Sequence, residues 1–197
     1  MTQVYKYILI YLCFLLTLKL YAVPDFFRNR SFIFINEENG LPHNYINDIF
    51  KDSDGYIWMA THKGISRYDG YQFMTFDTHS NPVSLKSNYV NCFAEDKFGR
   101  LWVATEEGLT ILSQNRAEEV NPSAGNDKIK TLFNSYVQTV YSDKNGNMWV
   151  AAANNLWCLK FNELGRVSEY YSLPFATQSE VFGIIDYGNG VCAGLDN

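Results

Sequence analysis

Hydrophobic positions along this chain come in short runs separated by polar, glycine-bearing turns, and one such run occurs three times. The copies are Asp52–Thr61 (DSDGYIWMAT), Asp96–Thr105 (DKFGRLWVAT) and Asp143–Ala152 (DKNGNMWVAA). Each opens on Asp-x-x-Gly, which is turn chemistry. The carboxylate can accept backbone N–H groups just ahead of it, and glycine takes a positive φ without steric conflict. The residues that follow read as a strand. Side chains alternate across it, so Tyr56, Trp58 and Ala60 face one way and Ile57, Met59 and Thr61 the other. Trp102 and Ala104 likewise oppose Leu101 and Val103, and Trp149 and Ala151 oppose Met148 and Val150. Apolar residues on both faces predict strands covered on both sides.

The flanks repeat as well. Strands are expected before each turn (from Tyr45, Tyr89 and Tyr136) and after each tryptophan strand (from Lys63, Glu107 and Asn154). A fourth strand fits Tyr71–Phe76, Arg116–Val120 and Arg166–Tyr171, the middle one weakly. The tryptophans at 58, 102 and 149 recur at spacings of 44 and 47 residues. Four short antiparallel strands at that period are the arithmetic of a propeller blade. An all-β fold follows: an incomplete β-propeller of about three and a half blades, near 44–76, 89–120, 136–173 and 180–197. In the last unit Val191 is expected where a tryptophan would stand. Asn121–Lys130 reads as a polar loop. The alanine two residues after each tryptophan leaves room for adjacent sheets to interdigitate. The tryptophans therefore read as packing residues rather than ligand contacts. The run Ser31–Ile35 is expected to be a strand that closes the ring, since closure removes sheet edges.

Residues 1–22 have the outline of an export leader. Lys6 precedes the apolar run Tyr7–Leu18, and Leu20-Tyr21-Ala22 could be cleaved. Twelve residues rise only about 18 Å as a helix, short of a bilayer core of roughly 30 Å. The mature chain would be 23–197, with no further membrane span. Without the leader, which carries two lysines and no acid, the formal charge moves from -5 to -7. A mildly acidic surface with no basic patch argues against nucleic acid as a partner. The four cysteines, Cys13, Cys92, Cys158 and Cys192, form no CxxC pair or zinc spacing. Cys92 and Cys158 lie inside strand patterns, where a thiol acts as a small apolar group. No structural disulfide is expected.

From Glu38 to Phe73 the first unit, ENGLPHNYINDIFKDSDGYIWMATHKGISRYDGYQF, resembles the two-component regulator propeller repeat. The likeness is to the start of the periplasmic sensor of hybrid two-component histidine kinases in Bacteroidetes-type bacteria. Gly40-Leu41-Pro42, Asp52, Gly55, Trp58, Gly64 and Arg67-Tyr68-Asp69-Gly70 carry it. The third copy departs in having Asn154-Asn155 where glycine is expected. The resemblance implies seven-bladed propellers in an inner-membrane-anchored parent, facing the periplasm and reading oligosaccharides. It also implies that kinase and effector modules lie elsewhere, so that this chain senses and does not signal alone. The chain is accordingly expected to be a fragment whose partners are the remaining blades of a longer protein, or a second copy across an open edge.

Enzymatic signals are weak. A sialidase-type Asp-box would need a threonine before Trp58 and a different aspartate spacing. A calcium loop would place glycine at its sixth position, whereas Gly55 is at position four counted from Asp52 as the first. No triad, metal set or phosphate loop is legible, so no catalytic, metal or cofactor residue is assigned. Loop residues placed to meet a sugar are His43, Asn44, His62, Lys63 and Arg67, each more simply read as a solvated turn residue. The alternative is a secreted propeller enzyme or structural module acting on glycans.

Overall fold

The computed structural model describes residues 33–113, 116–118, 127–175 and 179–196. The chain divides into two compact units, Met1–Phe34 and Ile35–Asn197. Of the first, only Ile33 and Phe34 are described, both exposed. The expected leader at 1–22 lies outside the described residues.

The second unit is almost entirely β. Sheet 1 holds β1 (Ile46–Lys51), β2 (Ile57–Thr61), β3 (Gly64–Tyr68) and β4 (Phe73–Phe76). Sheet 2 holds β5 (Val90–Glu95), β6 (Leu101–Thr105), β7 (Gly108–Ser113) and β8 (Arg116–Glu118). Sheet 3 holds β9 (Val137–Ser142), β10 (Met148–Ala152), β11 (Asn155–Phe161) and β12 (Val167–Pro174). Sheet 4 is the hairpin β13 (Val181–Tyr187) and β14 (Gly190–Leu195). Among the described residues every pairing is antiparallel between sequence neighbours, and no sheet closes on itself. This is an open stack of propeller blades, three complete and one of two strands.

The tryptophan strands are second in their sheets and are covered on both faces. All of β6 is buried, as are most residues of β2 and β10. Trp58 packs with Phe93, Leu101 and Val103 of sheet 2. Trp102 packs with Val140, Met148 and Phe161 of sheet 3. Trp149 joins Val181 and Ile184 of sheet 4. Each indole thus fills the space between its own sheet and the next, and Ala60, Ala104 and Ala151 are wholly buried beside them. Phe93, Val140 and Ile184 occupy one register position facing the preceding sheet, and each is 5 % exposed. Their counterpart in sheet 1, Ile49, is 63 % exposed.

Three expectations are corrected. Ile33–Ile35, the described part of the expected closing strand, is not in strand conformation and is exposed. A strand needs a partner edge, and none meets it here among the described residues. The end of the expected loop is a helix, α1 (Asp127–Phe133), because Ile129, Leu132 and Phe133 fall on one helical face that covers sheets 2 and 3. In sheet 4 the residue at the tryptophan register is Cys192, paired with Ile185 as Trp149 is with Tyr141. The turn Gly188-Asn189 is shorter than in the other copies, which moves Val191 one pair towards it.

Candidate functional site

The first strands of the four sheets lie side by side and are tied at one register position. Asn47 Nδ2 donates to the Val90 carbonyl at 2.7 Å, Asn91 Nδ2 to that of Val137 at 2.7 Å, and Gln138 Nε2 to that of Ser179 at 3.5 Å. Gln138 Oε1 accepts from Val181 N at 3.1 Å. One residue on, Asp48 Oδ2 accepts from Phe93 N at 2.9 Å and Cys92 Sγ from Val140 N at 3.3 Å. Cys92 is therefore a polar link between sheets as well as a small filler, which corrects its reading as an apolar residue. Burial pushes its thiol up to about 11, so it stays protonated.

Immediately before these strands stand Tyr45, Tyr89 and Tyr136, with Glu180 at the equivalent place in sheet 4. The β2–β3 and β6–β7 turns bring His62 and Glu106 to the same edge. His62 stacks on Tyr89 at 4.2 Å and on Tyr45 at 5.2 Å, and His43 stacks on His62 at 5.6 Å. Tyr45 is 68 % and Tyr136 46 % exposed, so the arc presents ring surface to solvent. Burial, then the charges of Glu180 and Glu106, raise the ionisation of Tyr136 above the ordinary phenol value. Below the arc is a recess of 430 Å³ lined by Asn47, Asp48, Asn91, Tyr136, Gln138 and Glu180, among others. Burial raises the Asp48 carboxyl above its usual range despite backbone N–H bonds from Phe93 and Ile49.

Of the five loop residues singled out in the sequence, the fold brings together His43 and His62. Asn44 exchanges hydrogen bonds with Glu37, its Oδ1 accepting from Glu37 N at 3.0 Å and its N donating to Glu37 Oε1 at 3.1 Å. Lys63 is an exposed turn residue. Arg67 lies elsewhere, 4.4 Å over the Tyr56 ring, in a 140 Å³ cleft between sheets 1 and 2. The tyrosine arc was available in the sequence as the 45, 89, 136 periodicity. Its residues read there as strand starts, because period alone does not say which sheet edge faces the axis.

The opposite edge carries the Asp-x-x-Gly turns, and these do more than turn the chain. The second carboxylate oxygen of Asp52, Asp96 and Asp143 accepts the indole N–H of Trp58, Trp102 and Trp149 at 2.7, 2.8 and 2.9 Å. The first oxygen accepts the backbone N–H four residues on, from Tyr56, Arg100 and Asn147. One side chain thus fixes both hairpin and indole, satisfying a donor that burial would otherwise strand. No group of acids, histidines or cysteines that could hold a metal occurs among the described residues.

These bonds predict acid sensitivity. Burial raises the Asp143 carboxyl, but bonds from Trp149, Asn147 and Asn145 outweigh it and leave it below 3.8. Backbone bonds from Gln72 and Tyr71 lower Asp69, and the Ser80 hydroxyl and His79 N–H lower Asp77. A carboxyl depressed in the fold stabilises it above the unfolded value and loses that contribution as pH falls through the folded one. Asp48, raised by burial, works in the opposite sense. Thermal melts followed by circular dichroism should show a midpoint that drops steeply below about pH 4. A midpoint unchanged there would remove these carboxylates from the stability of the fold.

The fold is a β-propeller segment with an aromatic arc at the edge where its first strands begin. The family model of the two component regulator propeller matches residues 40–63, 84–107 and 131–157, which take in the first two strands of each tryptophan unit. Each of the three tryptophan units thus carries a match to that repeat. Solved structures with the same fold include the extracellular domain of BT3049 from B. thetaiotaomicron, assigned as a hybrid two component system. It is 22 % identical with a TM-score of 0.60, over 84 % of this chain and 23 % of that one. The extracellular domain of BT4673 from the same organism is 15 % identical with a TM-score of 0.58, over 84 % and 24 %. PorZ, a surface component of the type-IX secretion system of Porphyromonas gingivalis, is 17 % identical with a TM-score of 0.53, over 82 % and 24 %. The chain thus spans about a quarter of the length of these proteins. No curated protein matches it. Among the described residues no helix is long and apolar enough to cross a membrane.

Proposed function

We propose that this chain is ligand-reading propeller structure from an extracytoplasmic sensor of the two-component type, and that its ligand is an oligosaccharide. The observation that carries the reading is the stack of His43, Tyr45, His62 and Tyr89 at the edge of the first strands. Aromatic faces cover the apolar face of a sugar ring, while the amides and carboxylates beside them meet its hydroxyls. The parent protein is read as an inner-membrane kinase, with residues 1–22 as its export leader and the propeller in the periplasm. The exposed Ile49 and Ile185, at positions where the inner sheets are packed, would be covered by further blades of the same repeat. The role is binding, with no residue assigned to catalysis.

Calorimetric titration of the chain with oligosaccharides of varied linkage tests this. At least one should bind, and Tyr89→Ala should weaken it by about tenfold, the worth of one good ring contact. An absence of heat across the set would overturn the sugar reading, and turnover of any member would move the chain to the enzyme alternative.

A further inference from the structure

The chemistry of the recess is one-sided. Its charged and ionisable oxygen groups are Asp48, Glu180 and the Tyr136 phenol, and among the described residues no lysine, arginine or histidine lines it, although His62 Nε2 stands 3.2 Å from Asn47 Oδ1. Glu106 adds a second carboxylate close enough to bear on Tyr136. The side-chain amide nitrogens of Asn47, Asn91 and Gln138 each spend one of their two N–H donors on the carbonyls of Val90, Val137 and Ser179. What remains towards the recess is strong in acceptors and negative in charge, next to tyrosine faces that attract cations.

There is also room where the repeat would put a side chain. Gly183 holds the register position of Asp48, Cys92 and Thr139. A Cβ added there would meet nothing within 4 Å. The fourth sheet thus leaves a gap in the recess wall beside Glu180. Asp48 is held partly buried against its own solvation, and the hydrogen bonds it accepts come from the backbone N–H groups of Phe93 and Ile49. Such a carboxylate lowers the stability of the empty fold, as groups kept for a ligand commonly do.

Resting on the oligosaccharide reading above, we propose that the recess takes a saccharide bearing a protonated amine, with Glu180 receiving the ammonium group beside Tyr136 and Asp48 adding negative charge to the recess wall. An ammonium brings three donors and a positive charge to a site with surplus acceptors. A uronic acid or sulfated sugar would face uncompensated repulsion there.

Calorimetry with the full chain tests the proposal, using glucosamine oligomers, their N-acetylated twins, glucuronate-containing oligomers of equal length and tri-lysine. The free-amine oligomer should bind about tenfold more tightly than its acetylated twin, and the glucuronate oligomer should not bind. Glu180→Gln should erase most of that preference, and Asp48→Asn should reduce it by a smaller factor. Asp48→Asn should at the same time raise the thermal midpoint, which distinguishes a binding role from a structural one. Gly183→Thr, which places the sheet 3 side chain in the gap, should abolish binding while leaving the circular dichroism spectrum unchanged. Equal or tighter binding of the acetylated twin would overturn the proposal and leave the sugar reading standing. Tri-lysine binding as tightly as the amino sugar would overturn the saccharide assignment. Full amine preference in a folded Gly183→Thr variant would show that the acidic surface, and not the recess, is responsible.

Discussion

Asp96→Ala is expected to destabilise the chain by about 3–5 kcal/mol, the range for stripping one partner from a buried charged network. Asp96 is buried and accepts four bonds. Phe98 N and Arg100 N reach Oδ1 at 2.9 and 3.1 Å, while Trp102 Nε1 and Arg100 Nε reach Oδ2 at 2.8 and 2.7 Å. Removing it leaves a wholly buried indole N–H without its acceptor and the Arg100 guanidinium, with only 11 % of its side chain exposed, without its counter-charge. Arg100 also donates to the Gly165 carbonyl at 2.8 Å, so its displacement would reach the β11–β12 turn of sheet 3. The same change at Asp52, which is only half-buried, should have a smaller effect because water can replace the lost bonds. Urea unfolding followed by tryptophan fluorescence measures both. Equal losses at the two positions would show that the turn, rather than the buried indole and guanidinium, sets the contribution.

Gly108→Ala is expected to be the other severe change, at about 3 kcal/mol or more from left-handed strain together with a backbone clash. Gly108 has φ +144°, and a Cβ on it would lie 2.3 Å from the Phe133 carbonyl oxygen at the end of α1. That oxygen belongs to backbone and cannot swing aside like the end of a side chain. Gly55, with φ +94° and nothing within 4 Å of its Cβ position, is the control. Gly55→Ala carries the strain alone and should lose about 1–2 kcal/mol. Matching unfolding midpoints for the two variants would show that α1 yields to the added methyl and does not brace the β6–β7 turn.

Gly108 also shows how far the repeat can be read. Its counterpart Gly64 has φ +113° and the same 2.3 Å approach, to the Phe76 carbonyl. The third copy has Asn155 there, which looks like a broken rule in the sequence. The fold resolves it: Ala153 and Asn154 both take positive φ, 50° and 56°. The two-residue turn between β10 and β11 thus supplies the handedness the strands need, and the next position no longer requires glycine. The aspartates are a similar case. Their spacing to the glycine announced a turn, but their bond to an indole six residues on depends on which way the tryptophan leaves the strand. α1 was legible only in part, because Ile129, Leu132 and Phe133 are too few apolar positions to stand out beside a polar stretch.

By itself the sequence determined the blades. A strand covered on both faces, a turn of fixed chemistry and a period of 44 to 47 residues leave few ways to bury the tryptophans, and local patterning carries all three. The tertiary structure decided the site. Tyr45, Tyr89, Tyr136 and Glu180 come from four sheets, and His62 reaches Tyr89 from a neighbouring one. Only the stacking of sheets, which depends on contacts between residues some 40 or more positions apart, turns four separate strand starts into one surface.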